Sequence, residues 1–167
     1  NIKIVEDAAH ALPTTCHGKL IGSLDTDVCV FSFYANKTMT TGEGGMLVTK
    51  SIEIADRVKK MRLHGIDRDA FNRFTAKKPS WFYEVVYPGF KYNMTDIAAS
   101  IGMHQLKKIN IFQSRRHEIA SIYNEQLQST KLILPANPIK GDLHSWHLYI
   151  IRLSKDQEIS RDKFIEE

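Results

Sequence analysis

Two residues with complementary chemistry stand at the ends of predicted strands. The apolar strand predicted over 2–5 runs at once into an acid, Asp7, and the apolar strand predicted over 28–31 leads to Lys37. Strand ends in an α/β sheet point into the ligand crevice, so the carboxylate and the amine could share one ligand. A pyridine ring that carries an aldehyde suits this pair. Its nitrogen needs a nearby anion to stay protonated, and its aldehyde reacts with a lysine amine.

Three neighbouring features extend this candidate site. His10 lies three residues after the acid, Ser32 lies near the end of the second strand, and the glycine-rich segment 42–45 would let the backbone come close to a ligand. Each feature also has a purely structural explanation. An aspartate at a strand end is a common turn residue, an isolated lysine is usually solvated, and the glycines can form an ordinary hairpin. Spacing alone leaves both interpretations open.

The elements that must position these residues follow an α/β pattern. The continuous apolar run 28–31 predicts a strand covered on both faces, and 46–49 predicts an antiparallel neighbour. Ser51 and Thr95 are suitable N-caps for two helices with apolar stripes, the first ending near His64. The other predicted elements are a helix over 113–128, strands over 132–134 and 146–153, and a helix that begins at Ser160, whereas 66–92 has no regular pattern.

Composition and charge place the chain among ordinary globular proteins. It has 167 residues, of which 43% are hydrophobic and 25% charged, and a formal net charge of +4. These values argue against disorder, collagen and disulfide-rich miniproteins. The basic doublets lie near acidic residues and are interpreted as solvated surface, so no nucleic-acid partner is expected. No apolar run approaches the roughly 18 residues that span a bilayer, so no membrane partner is expected either.

The cysteines and a histidine pair predict neither disulfides nor a metal site. Cys16 and Cys29 are too few for a disulfide framework, and a reducing cytoplasm is the compartment that fits best. Cys29 lies within an apolar strand and is predicted to be a small buried side chain. His144 and His147 have the H-x-x-H spacing of a helical metal site. They enter a predicted strand, however, where positions three apart face opposite ways, so no metal is predicted.

The segment 66–92, which has no regular pattern, carries side chains that could contact a nucleotide. Its aromatic residues favour a loop core, with a nucleotide-stacking wall as the alternative, and its basic residue is interpreted as solvated surface. These residues are the aromatic Trp81, Phe82, Tyr83 and Tyr87, and the basic Arg68.

The segments around the acid and the lysine carry a specific pattern. Residues 5–11 are Val-Glu-Asp-Ala-Ala-His-Ala, and residues 31–46 are Phe-Ser-Phe-Tyr-Ala-Asn-Lys-Thr-Met-Thr-Thr-Gly-Glu-Gly-Gly-Met. They closely resemble the nucleotide-sugar aminotransferases of the DegT/DnrJ/EryC1/StrS type, and the likeness continues through 62–65, 89–99 and 145–150. It implies a pyridoxal 5′-phosphate enzyme of fold type I. Such an enzyme moves an amino group, usually from glutamate, to a keto carbon of a nucleotide-linked sugar for bacterial cell-surface polysaccharides.

The resemblance assigns roles residue by residue. Asp7 would pair with the pyridinium nitrogen, and His10 would lie at the cofactor ring or its phenolic oxygen. Ser32 would hydrogen-bond the phosphate. Lys37 would be the Schiff-base lysine and would then shuttle a proton. His147 would contact the substrate.

One motif departs from the family pattern. Many members have Gly-x-Asn-x-Arg where this chain has Gly-Phe-Lys-Tyr-Asn over 89–93. The family's asparagine reaches the phosphate of a neighbouring subunit. Here either Lys91 or Asn93 could do so, the lysine as a point charge. The resemblance therefore also implies a homodimer with shared active sites.

The fold class that the resemblance implies is α/β. Residues 1–130 would form part of the fold type I large domain, with a mixed, mostly parallel sheet and flanking helices. Residues 131–167 would begin a small C-terminal α+β domain, in agreement with a change of composition near 130–141. Because the chain opens within a strand and stops in the first turn of a helix, we expect a piece of a longer protein. The family's N-terminal half, with its phosphate cradle, would be missing.

Two other functions stay open. A sugar dehydratase on the same fold is one, although those relatives have histidine at the position of Lys37. The other is a non-catalytic regulatory relative or an inactive gene fragment, which the missing N-terminal segment would favour.

Overall fold

The computed structural model describes residues 2–67 and 83–167, which contain short strands and four helices. The strands are β1 (Val5–Asp7), β2 (Thr15–Cys16), β3 (Lys19–Leu20), β4 (Val28–Ser32), β5 (Gly45–Val48), β6 (Leu132–Ile133) and β7 (Arg152–Leu153), and the helices are α1 (Ile52–Met61), α2 (Asp96–Leu106), α3 (Ile109–Leu127) and α4 (Arg161–Glu166). None of these helices combines the length and the apolar character that crossing a lipid bilayer requires.

A three-stranded mixed sheet in the order β1-β4-β5 carries the candidate site. β1 and β4 run parallel, with Asp7 opposite Val30. β5 returns antiparallel to β4, with Gly45 opposite Ser32. The predicted apolar strand and its predicted antiparallel neighbour are therefore both confirmed. A separate pair, β6 and β7, lies in the C-terminal part and is antiparallel.

The first strand is displaced from its predicted position over 2–5. The N–H of Ile4 donates to the carboxylate of Asp27 at 2.9 Å, and the Lys3 ammonium group pairs with the same carboxylate at 2.9 Å. The hydrogen bond from Ile4, followed by that from Lys3, lowers the pKa of Asp27. Because a side chain takes this backbone donor, the regular ladder begins only at β1, and Asp7 is the last residue of the strand itself.

The core lies against β4 and the loop that follows it. Its buried members are Ala8, Cys29, Phe31, Phe33 and Met39. Cys29 is 1% exposed, as predicted for a small apolar side chain. Burial, with a smaller effect of the nearby Glu6 charge, raises the pKa of its thiol to about 11. This thiol therefore stays protonated and behaves as a packing group.

Side-chain caps start the first two helices where the sequence predicts them. The side-chain oxygens of Ser51 and Thr95 each accept the N–H three residues on, at 3.3 and 3.2 Å. These contacts satisfy donors that the first helical turn leaves unpaired. α1 ends at Met61 and not near His64, because His64 has a left-handed backbone with a φ of 57°.

Two predictions in the C-terminal half are wrong. α3 begins at Ile109 and not at 113, and its N-cap residue Lys108 makes no side-chain cap, so the usual start signal is missing. The strand predicted over 146–153 is confined to β7. At the predicted start of the strand, Trp146 has a φ of 46°, which is incompatible with an extended backbone.

The short hairpin β2–β3 connects the first part of the chain to the last. Only turns were predicted here, and two residues per strand give too short a pattern to detect. Asp142 accepts hydrogen bonds from the Gly18 N–H at 2.7 Å and the Thr15 hydroxyl at 3.0 Å, and the N–H of His17 is a third donor at 2.9 Å. The bond from Gly18 is the largest cause of the lowered pKa of Asp142. The domain boundary near residue 130 stays a prediction.

Candidate active site

The carboxyl ends of β1 and β4 lie side by side because these strands are parallel. Asp7 ends β1, and Ser32 ends β4. Asp7 Oδ1 accepts the N–H of Ala9 at 3.1 Å, and the carboxylate stays exposed at the sheet edge. Ser32 Oγ accepts the N–H of Tyr34 at 3.3 Å. Within the described ranges its hydroxyl proton has no acceptor, so it is available to a ligand.

Lys37 lies in the loop between β4 and β5, and hydrogen bonds close this loop tightly. The N–H of Phe33 donates to the Gly44 carbonyl at 2.8 Å, and the N–H of Thr41 donates to the Phe33 carbonyl at 2.9 Å. The N–H of Lys37 donates to the Tyr34 carbonyl at 3.0 Å. Gly44 has a φ of 155°, and a Cβ there would lie 2.4 Å from Thr41 Oγ1, so the loop needs glycine at this position. The half-buried lysine therefore stands on a well-fixed backbone.

His10 and His147 come together from two distant parts of the chain. The ring centroids of His10 and His147 are 4.3 Å apart, with 48° between the ring planes. Burial lowers the pKa of His147, and the charges of His10, Lys37 and Arg116 lower it further. Burial and these charges therefore favour the neutral form of the ring. His147 Nδ1 is buried and has no hydrogen-bond partner in the described part of the chain.

Two residues of α3 that we did not predict hold the turn that carries His147. Gln113 Nε2 donates to the carbonyl of His144 at 2.8 Å. Arg116 Nη1 donates to the carbonyls of Trp146 and His147 at 3.1 and 3.4 Å. Their signal in the sequence is faint. They are polar residues one turn apart in the row that also contains the buried Ala120, where apolar side chains are expected.

Lys91 and Asn93 lie in the segment before α2. The Lys91 ammonium group donates to Asn93 Oδ1, and Lys91 pairs with Leu63 in an isolated antiparallel bridge. Asn93 lines a largely apolar cavity of about 1050 Å³ between β5, α1 and α2. Within the described ranges, no hydrogen bond joins either residue to Asp7 or Lys37. Their predicted contact with the phosphate of a neighbouring subunit stays a prediction.

The remaining sequence candidates lie either outside the described residues or at positions that differ from the prediction. Trp81, Phe82 and Arg68 lie outside the described residues. Tyr83 and Tyr87 are 45% and 38% exposed, so the interpretation of these two as loop core is wrong in this chain. The Tyr87 ring lies 5.3 Å from the guanidinium carbon of Arg57. His144 Nδ1 accepts the N–H of Trp146 at 3.1 Å, which makes this histidine part of the turn.

Comparison with known proteins identifies the chain's family. The model of the DegT/DnrJ/EryC1/StrS aminotransferase family matches residues 1–167. The chain belongs to this family. The family resemblance inferred from the segments around Asp7 and Lys37 is thereby confirmed.

Two curated relatives align over nearly the whole chain. The uncharacterized protein MJ1066 of Methanocaldococcus jannaschii is 50% identical over 100% of this chain and 43% of its own length. The spore coat polysaccharide biosynthesis protein SpsC of Bacillus subtilis is 42% identical over 97% of this chain and 41% of its own length. The chain thus spans less than half the length of the curated relatives that it matches.

Solved structures confirm the predicted fold class. Spr1654 of Streptococcus pneumoniae, provisionally assigned as a sugar aminotransferase, matches in its PLP form with a TM-score of 0.79 and 34% identity, over 92% of this chain and 38% of that one. The same protein is also known in a PMP form, which agrees with the predicted cofactor. A GDP-4-keto-6-deoxymannose-3-dehydratase matches with a TM-score of 0.85 over 99% of this chain and 44% of that one. At 24% identity this last likeness concerns the fold alone. The described mixed sheet with flanking helices is part of the same α/β architecture.

Proposed function

We propose that this protein uses pyridoxal 5′-phosphate to transfer an amino group from glutamate to a keto carbon of a nucleotide-linked sugar. The observation that carries the proposal is the common edge of β1 and β4, which holds Asp7, Ser32 and the loop of Lys37 in a member of the aminotransferase family. The relative SpsC is named for spore coat polysaccharide. We therefore propose that the aminated sugar serves bacterial cell-surface polysaccharide synthesis.

The residues present fit this cofactor. The exposed Asp7 carboxylate would hold the proton on the pyridine nitrogen through charge attraction. Ser32 would donate its unused hydroxyl proton to the phosphate. Lys37 Nζ would hold the cofactor covalently and then move a proton at the carbon that carries the amino group. When bound, pyridoxal phosphate supplies an electron sink for this chemistry.

The two histidines would complete the surroundings of the lysine. His10 follows Asp7 by three residues and would lie at the cofactor ring or its phenolic oxygen. His147, in contact with the His10 ring, would face the substrate. Because burial and nearby cations lower its pKa, His147 would offer an uncharged ring to that substrate.

We propose a homodimer in which each subunit completes the other's site. Lys91 and Asn93 are bonded to each other and have no hydrogen bond to the Asp7–Lys37 edge within the described ranges. Their side chains would instead reach the phosphate bound by the neighbouring subunit. Charge-assisted contacts of this kind suit lysine as a point charge and asparagine as a neutral donor.

The cytoplasm is the proposed compartment. Both cysteines are free thiols in the structure. Free thiols suit a reducing environment.

The dehydratase remains the competing function because a solved dehydratase shares the fold. Lys37 opposes it. The dehydratase-type relatives that the sequence resembles have histidine at this position, and a histidine cannot hold the cofactor covalently through an amine. The two functions therefore differ in whether Lys37 becomes linked to the cofactor.

Borohydride trapping on the full-length gene product tests the proposal. With pyridoxal phosphate the protein should absorb near the visible edge, and reduction followed by peptide mapping should place the cofactor on Lys37. Lys37→Ala should abolish the adduct. Lys50→Ala is the matched control, since Lys50 is exposed and pairs with Asp25 at 3.3 Å. An adduct on another lysine would refute the assignment.

The amino-transfer step is tested separately with the same preparation. Glutamate should be converted to 2-oxoglutarate, and a panel of nucleotide-linked keto sugars should identify the acceptor by the amine that it gains. Turnover of a keto sugar to a product that has lost water and gained no amine would indicate the dehydratase. A preparation that binds no cofactor would indicate the non-catalytic relative.

A further inference from the structure

Arg116 uses its charge differently from the arginine beside it. Arg115 Nη1 pairs with Glu118 Oε2 at 2.7 Å, and the Arg115 side chain is 62% exposed. Arg116 is half-buried and makes no ion pair within residues 2–67 and 83–167. It donates instead to the carbonyls of Trp146 and His147, at 3.1 and 3.4 Å. Burial of a guanidinium costs solvation free energy. Because Arg116 has no carboxylate partner among the described residues, its hydrogen bonds to the backbone carbonyls must offset that cost.

The backbone held in this way is strained. Trp146 has a φ of 46°, in the left-handed region that bulky residues rarely adopt. Such conformations persist only where surrounding contacts fix them. On the side of α3, Arg116 holds two carbonyls of this turn and Gln113 holds a third, that of His144, at 2.8 Å. Within the turn, the N–H of Trp146 donates to His144 Nδ1.

The other side of the same turn is fixed to the segment that follows Asp7. The Ser145 hydroxyl donates to the carbonyl of His10, and the Ser145 N–H donates to Thr14 Oγ1 at 3.2 Å. Ser145 is 2% exposed, so this connection is shielded from water. The turn therefore lies between α3 and the candidate active site and transmits the position of one to the other.

We infer that Arg116 is a positioning residue. By holding the carbonyls of Trp146 and His147 it keeps the 144–147 turn in its left-handed form, and this sets the His147 ring against His10. Among the described residues, the charged and titratable groups whose charges act on the ring are His10 after β1, Lys37 in the β4–β5 loop and Arg116 on α3. The kinetic consequence rests on the proposed function, whereas the geometry of the two rings does not.

NMR of the full-length gene product labelled at histidine ¹³Cε1 tests the inference. His10→Gln and His147→Gln assign the two resonances, and each should carry a ring-current shift from the other ring, since the centroids are 4.3 Å apart. Arg116→Gln removes the donors. Arg116→Lys keeps the charge but lacks the planar fork that reaches two carbonyls. Both variants should lose the mutual shift, while Arg115→Gln should keep it.

Kinetics of the loaded enzyme provide the second readout. In both Arg116 variants kcat/KM should fall about 10- to 100-fold, the scale expected when a site group is displaced by about 1 Å. The Lys37 adduct should persist, because Lys37 stands on the β4–β5 loop, which is closed by its own backbone hydrogen bonds.

The possible outcomes distinguish a failure of the positioning role of Arg116 from a failure of the proposed function. If both Arg116 variants keep the His10–His147 ring shift, or match Arg115→Gln in kcat/KM, Arg116 is not a positioning residue. If Arg116→Gln does not fold, the same comparison is made with Arg116→Lys. If the wild-type protein forms no adduct at Lys37, the proposed function fails, and the ring shifts alone then decide the role of Arg116.

Discussion

Replacing Gly102 with alanine should destabilise the protein, although alanine is the better helix former. Gly102 is buried in α2, and a Cβ there would lie 2.9 Å from Thr41 Cγ2 and 3.9 Å from Met39 Cε. The change from glycine to alanine inside a helix gains about 1 kcal/mol. Forcing a methyl group into a filled site costs about 1–3 kcal/mol. We therefore expect the free energy of unfolding to fall by about 0–2 kcal/mol.

A second substitution, at Thr41, should relieve the contact between the new methyl group at position 102 and Thr41 Cγ2. Thr41→Ser removes the Cγ2 atom that the new methyl group meets, and it keeps the hydroxyl that donates to the Glu43 carbonyl at 2.7 Å. The double variant should therefore recover the helix-propensity gain. A double-mutant cycle should give a favourable coupling of about 1–3 kcal/mol between Gly102→Ala and Thr41→Ser. Ser100→Ala is the matched control for propensity, since Ser100 is an exposed residue of the same helix.

Urea unfolding of the full-length gene product, followed by circular dichroism, measures these values. The visible absorbance of the bound cofactor is a second measurement, because Thr41 stands four residues after Lys37 in the same closed loop. Displacement of Thr41 should shift this absorbance in Gly102→Ala and restore it in the double variant. Stabilisation by about 1 kcal/mol in Gly102→Ala, with no coupling to Thr41→Ser, would refute the steric argument.

Three other predictions concern charge and accessibility. Asp7→Asn keeps the oxygen that accepts the local backbone N–H, so cofactor binding should persist while turnover falls by orders of magnitude; an unchanged transamination rate would make Asp7 a turn residue only. Burial lowers the folded-state pKa of His144 and His147, so the unfolded chain takes up protons first as the pH falls through about 6.5, and stability is lost on acidification. Unfolding midpoints at pH 7.5 and 5.5 check this, with a smaller difference expected in His144→Gln. Iodoacetamide should label Cys16 in the native protein and spare Cys29, whose burial raises its thiol pKa to about 11; equal labelling would contradict that burial.

Local signals predicted much of the secondary structure because they act over three or four residues. Ser51 and Thr95 cap their helices through oxygens that reach the third N–H ahead, a geometry that the sequence pattern encodes directly. β4 was predictable since a continuous apolar run is typical of a buried strand. The starts of β1 and α3 were misplaced because distant or missing contacts decide them. The Asp27 carboxylate takes a backbone donor before β1, and Lys108 provides no cap before α3.

The candidate site also contains parts that local sequence signals predict and parts that distant contacts determine. Asp7, Ser32 and Lys37 could be located from the sequence because each follows a short strand signal and matches a family motif. The turn over 144–147 could not, since nothing in the sequence marks Trp146 for a left-handed backbone. The segment was therefore assigned to a strand. With the turn unrecognised, Arg116 had no predicted partner, although its contacts lie 30 and 31 residues away along the chain.

The long-range contacts also determine which charges the site presents. Arg116 brings a second cation near His147 while it fixes the turn, and together with burial and Lys37 it disfavours a proton on this ring. A charged imidazole beside the lysine would repel it and would compete for the same anionic groups of a ligand. A neutral ring does neither, and it still offers hydrogen bonding through its nitrogens. The turn thus places a polar, uncharged group beside His10, and under the proposed function Lys37 is left to supply the reactive amine.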